Sequence, residues 1–187
     1  MNGAKRGVDD DGGMGGGSRG GVLGDSMGMG EVGGADRRLL EAAYAQAVKS
    51  GREGGIPIGA ALGAADGTVV ALGHNLRVQT GDSTAHAETV CLRNAGRRRD
   101  WHRLTLATTL SPCVMCCGAA LLHRIPRIVI GERETFVGDE ELLASRGVEL
   151  VHANDGRCAA LMRRFIAEHP ELWDEDIGVP EGDGGGG

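Results

Sequence analysis

The sequence predicts an α/β protein, a three-layer α/β/α sandwich with a central mixed sheet of about five strands. After the first fifty residues, short apolar runs typical of strands alternate with segments whose apolar residues recur every three or four positions, as in helices. This order favours a mixed or parallel sheet covered by helices on both faces. Only 3% of the residues are aromatic, so we expect a core of Ala, Leu, Val and Ile.

The first part of the predicted fold is a helix followed by a hairpin. Asp36 is a suitable N-cap for a helix over residues 37–50, and Gly51 is a suitable stop. Residues 56–75 contain two apolar runs joined at Asp66-Gly67, a pair typical of hairpin turns. The first two strands are therefore expected to be antiparallel neighbours.

The remaining elements are predicted to alternate. In chain order, we expect a helix that holds His86 and Glu88, a strand over 103–110, a helix from Pro112, a strand over 127–131, a helix over 140–145, a strand over 148–153, a helix from Asp155 to about Glu168, and a short helix begun by Pro170. Together with the hairpin, these three strands complete the predicted sheet.

Both ends of the chain are predicted to be disordered tails. Of residues 1–34, fourteen are Gly, so this segment cannot bury enough apolar surface to offset the entropy lost on ordering. Residues 180–187 have a similar composition. Residues 35–179 remain as a single domain of ordinary size.

The composition argues against membrane and nucleic-acid functions. The chain has no run of about 18 apolar residues, and its N-terminus lacks the basic-then-apolar order of a signal peptide. A formal net charge of -6 disfavours a protein that grips a nucleic-acid backbone. We therefore expect no membrane and no nucleic-acid partner, and a cytoplasmic location with the nucleus as the alternative.

Four residues form the candidate for chemistry. His86 and Glu88, in the sequence HAE, stand at the head of one predicted helix, and Cys113 and Cys116, in PCVMC, share the first turn of another. Two such helices side by side on one sheet would bring the histidine and both cysteines together. Three protein ligands leave the fourth tetrahedral position open, as in a catalytic zinc site. Glu88 would then be a base beside the metal-bound water.

Each half of this group also has another interpretation. A Cys-x-x-Cys pair at a helix start is a thiol redox motif as well, and for the pair alone the redox and metal roles are comparable. A lone His-x-Glu is more often two solvated residues. The two motifs together, each opening a helix after a strand, are the signature of zinc deaminases that act on nucleobases. The sequence therefore predicts one site, with Zn2+ as its cofactor.

The chain resembles the cytidine deaminase superfamily, and within it the fungal-type cytosine deaminases that act on the free base. HAE and PCVMC alone are at least as similar to tRNA adenosine deaminases, but those are expected to end in a basic helix, whereas this chain ends in an acidic segment. Ala87, where cytosine enzymes typically have Gly, and Val114 are departures from the pattern. The resemblance covers residues 36–178 and is carried by GGIPIGAAL, GHNLRVQ, TTLSPC, IPRIVIGE, RGVEL and LWDEDIG.

The resemblance implies the cytidine deaminase-like fold and hydrolysis of cytosine to uracil and ammonia, in pyrimidine salvage. His86, Cys113 and Cys116 would hold zinc. Zinc hydroxide would attack C4 while Glu88 shuttles the proton. Relatives form homodimers, so we expect a homodimer with cytosine as its small-molecule partner. The substrate pocket implied by the resemblance consists of Ile58, Asn75 along the N1 and O2 edge, Ala87, Ser111, Phe136, Trp173, and Asp176 near the leaving amine.

Two other functions stay open at this point. One is a different deaminase, acting on guanine, a nucleoside or tRNA adenosine, and the other is a zinc-binding or thiol redox protein without catalysis. The segment 170–178 bears on the choice, since Trp173 and Ile177 lie four apart on one face of an otherwise charged helix. The resemblance places that face over the base pocket, so we expect a lid.

Overall fold

The computed structural model describes residues 31–179. Its five strands form one mixed sheet in the order β2-β1-β3-β4-β5. β1 is antiparallel to both β2 and β3, whereas β3, β4 and β5 are parallel to one another. The strands are β1 (Gly59–Ala64), β2 (Val69–His74), β3 (Leu104–Leu110), β4 (Arg127–Glu132) and β5 (Glu149–His152). The predicted mixed sheet of five strands is confirmed.

The helices fill the connections between these strands. They are α1 (Gly34–Arg52), α2 (Arg77–Thr80), α3 (Ala87–Ala95), α4 (Val114–Leu122), α5 (Glu140–Ser145), α6 (Gly156–Glu168) and α7 (Pro170–Ile177), with a single 3-10 turn at Trp101–Arg103. α2 was not predicted, and its four residues are too few to show a helical period. The other helices lie where the sequence predicts them, within a few residues.

The core consists of two apolar layers, one on each face of the sheet. Side chains alternate between faces along a strand, and two rows of paired residues show this directly. The first row crosses four strands and packs with α1 through Leu39 and Ala43; it consists of Ala61, Ala107, Val129 and Val151. The next row packs on the other face with residues of α3, α4 and α5; it consists of Leu62, Leu106, Ile128 and Leu150.

The ends of α1 differ from the prediction. The N-cap is Gly33, and Asp36 lies at the third helical position, where it accepts the Gly33 N–H at 2.9 Å and ion-pairs with Arg127 at 2.8 Å. At the other end, Gly51 does not stop the helix, which continues to Arg52, and it is Gly54 that adopts the left-handed conformation, with φ of 81°. Residues 33–35 have no apolar side chain large enough to show that the helix has begun.

The predicted tails fall mostly outside the described residues. Residues 1–30 and 180–187 lie outside them altogether, while Val32 packs against the α1 layer. Among residues 31–179, no helix has both the length and the apolar composition needed to span a bilayer.

Candidate active site

The site lies where α3 and α4 begin. β2 leads through α2 to α3, and β3 leads directly into α4. Gly73 of β2 allows α3 to approach closely, because a Cβ at this position would collide with the Ala87 carbonyl and the Cys91 amide. The N-terminal ends of the two helices thereby meet beside the sheet.

A ligand residue precedes each of these helices. His86 is the N-cap of α3, and Cys113 is the N-cap of α4, both with extended backbone. The prediction that α4 starts at Pro112 is therefore wrong by two residues. Cys116 still follows in the first turn, so both sulfurs face the same point.

His86, Cys113 and Cys116 form a group that can hold a metal ion. Their donor atoms all lie within 4.8 Å of one another, and Nδ1 of His86 is 3.5 Å from Sγ of Cys113. Bonds of about 2.0 to 2.3 Å at tetrahedral angles separate neighbouring donors by about 3.3 to 3.8 Å, so the arrangement suits zinc. One imidazole and two thiolates are also a donor set that zinc prefers. The residues present therefore fit the ion that the sequence predicts.

The two thiols share their proton unequally. The pKa of Cys113 falls to about 4, because Cys116 donates to its sulfur and His86 lies beside it, although burial opposes the shift. The pKa of Cys116 is raised, first by that same hydrogen bond and then by burial. Burial alone would lower the pKa of His86, but the Cys113 hydrogen bond and the charges of Asp176 and Glu88 outweigh it and raise the pKa. A bound cation would replace the proton held between the sulfurs.

Glu88 lies beneath these ligands and is only 4% exposed. Thr108 donates to its Oε1 at 3.0 Å, and Sγ of Cys116 lies 3.4 Å from its Oε2. Burial is the main cause that raises the pKa of Glu88, and the negative charge of Cys113 acts in the same direction. A buried carboxyl group whose pKa is raised can both accept and return a proton.

Asn75 presents an unused hydrogen-bond donor to the cavity. The backbone N–H of Arg77 donates to its Oδ1 at 3.0 Å, which fixes the orientation of the amide. The Nδ2 group is buried and has no hydrogen-bond partner among the described residues. A buried donor without a partner costs about 1 to 3 kcal/mol, so this group is suited to a ligand. Ser50 holds the Asn75 backbone carbonyl at 2.8 Å.

α7 covers the site with the acidic residue Asp176 and the apolar residues Trp173 and Ile177. The Asp176 side chain is 5% exposed, with Oδ1 2.6 Å from Nη1 of Arg77 and 3.5 Å from Nε2 of His86. Trp173 is buried and meets Phe136 edge to face, with ring centroids 5.9 Å apart. α7 therefore lies over the cavity, as expected from the sequence, and its action as a lid stays a prediction.

The cavity beneath α7 has a volume of about 540 Å³. Cys116 is buried and does not line this cavity. The remaining residues that the sequence predicts for the site all line it; they are Ile58, Asn75, His86, Ala87, Glu88, Ser111, Cys113, Phe136, Trp173 and Asp176.

Three residues of the site were not predicted from the sequence. They are Arg77, which binds Asp176; Thr108, which binds Glu88; and Glu140, whose Oε1 accepts from Ser111 at 2.7 Å. Ser111 in turn accepts the N–H of Gly138, next to the loop that carries Phe136. These partners lie 20 to 99 residues apart in the chain, so no local pattern could have indicated them.

Comparison with known proteins places this site in a family. The profile of the cytidine and deoxycytidylate deaminase zinc-binding region matches residues 34–132. A cytosine deaminase of Candida albicans is 48% identical over 145 residues, which are 76% of this chain and 97% of the relative. A tRNA-specific adenosine deaminase of Buchnera aphidicola is 41% identical over 99 residues, which are 51% of this chain and 65% of that protein.

A solved structure supports the same placement. The structure of guanine deaminase from Nitrosomonas europaea superimposes with a TM-score of 0.58 at 25% identity, covering 71% of this chain and 83% of that one. Profile, relative and structure agree with the His/Cys/Cys group, and the chain belongs to the cytidine and deoxycytidylate deaminase family.

Proposed function

We propose that this protein is a zinc-dependent cytosine deaminase, which hydrolyses cytosine to uracil and ammonia. The observation that carries the proposal is the His86, Cys113 and Cys116 group with buried Glu88 beside it, in a cavity covered by α7. The match to the Candida albicans cytosine deaminase extends over almost all of that protein.

A free base fits this cavity better than a tRNA strand does. The match to the Buchnera tRNA deaminase ends well short of either full length. α7, which borders the cavity, carries Asp174, Glu175 and Asp176 and has no basic residue in its last turn. An acidic rim repels a phosphate backbone, whereas a neutral base is indifferent to it.

The proposed chemistry divides between Asn75 and Glu88. The free Nδ2 of Asn75 donates to O2 of the base and so orients the ring. Glu88 takes a proton from water, whose oxygen forms a bond to C4 of the base, and delivers that proton to ring N3. It then takes the proton of the new C4 hydroxyl and passes it to the exocyclic nitrogen, so that the C4–N bond breaks and ammonia leaves. Zinc, when bound, supplies the Lewis acidity that lowers the pKa of water to about 7. α7 excludes bulk water from these steps.

The proposal includes a homodimer and a role in pyrimidine salvage in the cytoplasm. Val114, Gly118 and Leu122 form an exposed stripe of small and apolar groups along α4, which a second copy of the chain would cover.

The proposed role in pyrimidine salvage follows from the reaction, because conversion of free cytosine to free uracil allows a cell to reuse the base. Growth of a uracil auxotroph on cytosine, supported by the wild-type gene but not by Glu88→Gln, would test this role.

The direct test is metal analysis of the purified protein together with substrate turnover. We expect about one zinc per chain and release of ammonia from cytosine, but not from cytidine, guanine or tRNA. Turnover of guanine or tRNA adenosine in place of cytosine would identify a different deaminase. Bound zinc without ammonia from any of the four would leave a non-catalytic protein and refute the proposal.

A further inference from the structure

We propose that Arg77 is a positioning residue that clasps α7 over the active-site cavity through Asp176. This inference rests on the proposed function, since it assigns the clasp to cytosine turnover. Arg77 opens α2, and its side chain is only 12% exposed although it ends in a charged group. It reaches a residue 99 positions away in the chain. A charged guanidinium is costly to bury unless it is paired, so the buried position of Arg77 indicates that its contact with Asp176 is important.

The guanidinium makes two contacts with the C-terminal half of α7. Nη1 lies 2.6 Å from Oδ1 of Asp176, and Nη2 lies 3.2 Å from Oε1 of Glu175. The two donors of one planar group thus engage two successive acidic residues. Charged hydrogen bonds of this kind are stronger than neutral ones and fix direction as well as distance.

Asp176 requires such a partner because of its position. It is almost fully buried, and a buried carboxylate is costly unless it is paired. It also lies in the last turn of α7, where the helix dipole disfavours negative charge. Asp174 and Glu175 precede it directly, and the last turn has no basic residue of its own. The cation that offsets this charge comes from α2.

Arg77 also contacts Asn75, a second polar residue of the predicted substrate pocket. Its backbone N–H donates to Oδ1 of Asn75 at 3.0 Å, which leaves Nδ2 free to meet the base. One residue thus touches both sides of the cavity, through its main chain on the Asn75 side and its side chain on the Asp176 side. Because the Asn75 contact uses only the backbone, a side-chain substitution tests the clasp alone.

α7 has a second, apolar attachment. Trp173 is buried against Phe136, and Ile177 packs against the same core layer. Loss of the guanidinium should therefore leave the helix formed and near its place, but with Asp176 no longer fixed beside His86. The expected defect lies in the closed arrangement and in turnover, and the fold should be retained.

The experiment uses the zinc-loaded, full-length protein and three variants. Arg77→Ala removes the clasp, Arg77→Lys keeps one charge but not the planar fork, and Arg163→Ala removes an exposed arginine of α6 paired with Glu134 as the matched control. The measurements are zinc content, kcat and KM for cytosine, and amide hydrogen exchange of residues 170–177 and of β3.

We expect full zinc content in all variants. For Arg77→Ala we expect kcat/KM to fall by about tenfold to a hundredfold and exchange in residues 170–177 to rise by about tenfold, with β3 unchanged. Arg77→Lys should recover part of both effects, and Arg163→Ala should match the wild type. If Arg77→Ala does not fold, Arg77→Lys carries the same readouts.

Two results would overturn the clasp. One is wild-type exchange in residues 170–177 together with wild-type kcat/KM in the Arg77 variants. The other is a loss of zinc and of β3 protection that parallels the loss of activity, which would make Arg77 a residue of the scaffold. Failure of the proposed function would be seen separately, because the wild-type protein would then not deaminate cytosine. Hydrogen exchange of residues 170–177 would still show whether Arg77 holds α7 in place.

Discussion

Glu88 is the residue on which the proposed proton transfers depend. Its carboxyl group is buried between Thr108 and Cys116, and burial raises its pKa above the ordinary value. A group in this setting can exchange protons with a bound base without competition from bulk water. Its role can be separated from metal binding, because its oxygens are not part of the His/Cys/Cys group.

Replacing Glu88 with Gln should abolish turnover and spare zinc. The amide keeps the shape of the side chain and can still accept from Thr108, but it cannot carry a proton. We expect kcat for cytosine to fall by about a hundredfold or more, with zinc content unchanged. Glu168→Gln, at an exposed residue of α6, is the control and should keep the wild-type rate. Near-native kcat in the Glu88 variant would show that another group moves the proton.

Asn75 can be tested by a pair of substitutions. Asn75→Ala removes both the acceptor used by Arg77 and the free donor, whereas Asn75→Asp keeps an acceptor for the Arg77 N–H but replaces the donor with oxygen. If the donor binds the base, both variants should lose about 1 to 3 kcal/mol of transition-state binding, measured as kcat/KM, with zinc retained. Wild-type kcat/KM in Asn75→Asp would show that Asn75 only closes a turn.

At the scale of single residues, the sequence predicts those site residues that lie close to one another in the chain. Cys113 and Cys116 lie three apart, and His86 and Glu88 two apart, so their grouping follows from two short motifs. Arg77 is different, because its function depends on Asp176, which only the folded chain brings near. The resemblance places Asn75 along the N1 and O2 edge of the base, and only the structure shows that its oxygen accepts the Arg77 N–H while its Nδ2 group has no partner among the described residues.

At the scale of elements, the site depends on where two helices begin. Ser111 and Pro112 are good residues for a cap and a first turn, yet α4 begins at Val114. Ser111 does not cap the helix, because its hydroxyl already makes tertiary hydrogen bonds: it donates to Glu140 and accepts from the N–H of Gly138. Cys113 therefore takes the cap position. Its extended backbone directs the sulfur away from the helix and toward His86.

α7 is the element whose removal separates folding from function. Ending the chain after His169 removes the buried Trp173 and Asp176 but leaves the sheet, α1 and the three metal ligands. We expect a folded protein with full zinc whose cytosine turnover is reduced by orders of magnitude, since the cavity is then open to water. Zinc analysis, circular dichroism and kcat are the measurements.

The matched control for this truncation is a chain that ends at Val179 and so keeps the whole of α7. It should retain the full-length rate. Full turnover in the protein that ends at His169 would exclude a lid, and it would also remove the main structural reason for preferring a closed free-base pocket to an open site.

At the scale of the whole molecule, the sequence predicts the strands and layers but not the strand order. The alternation of elements is local, whereas β1 pairs with β3 across forty or more residues. That pairing brings the β2-β1 hairpin alongside the parallel strands, and with it the α2 and α3 segment that carries Asn75, His86 and Glu88. The site is thus assembled by a contact that no motif encodes.

The proposed homodimer can be tested at α4, which also carries the metal-ligand cysteines. Leu122 is 80% exposed and Val114 63%, and with Gly118 they recur every four residues on one face. Exposed apolar side chains in such a row are unfavourable unless they are covered. In a twofold dimer, the same face of a second copy would cover them, so one substitution changes the interface at two symmetric positions.

We expect the wild-type protein to be a dimer and Leu122→Glu to be a monomer at micromolar concentration, measured by light scattering after size-exclusion chromatography. Burial of one Leu contributes about 1.5 to 3 kcal/mol, so loss of both copies should weaken the dimer at least about a hundredfold. Zinc should be retained, because the Leu122 side chain points away from the ligands into solvent. Val69→Glu, at an exposed apolar residue of β2, is the control and should remain dimeric. A Leu122→Glu dimer as tight as the wild type, or a monomeric wild type, would contradict the assignment of this face to a second copy of the chain.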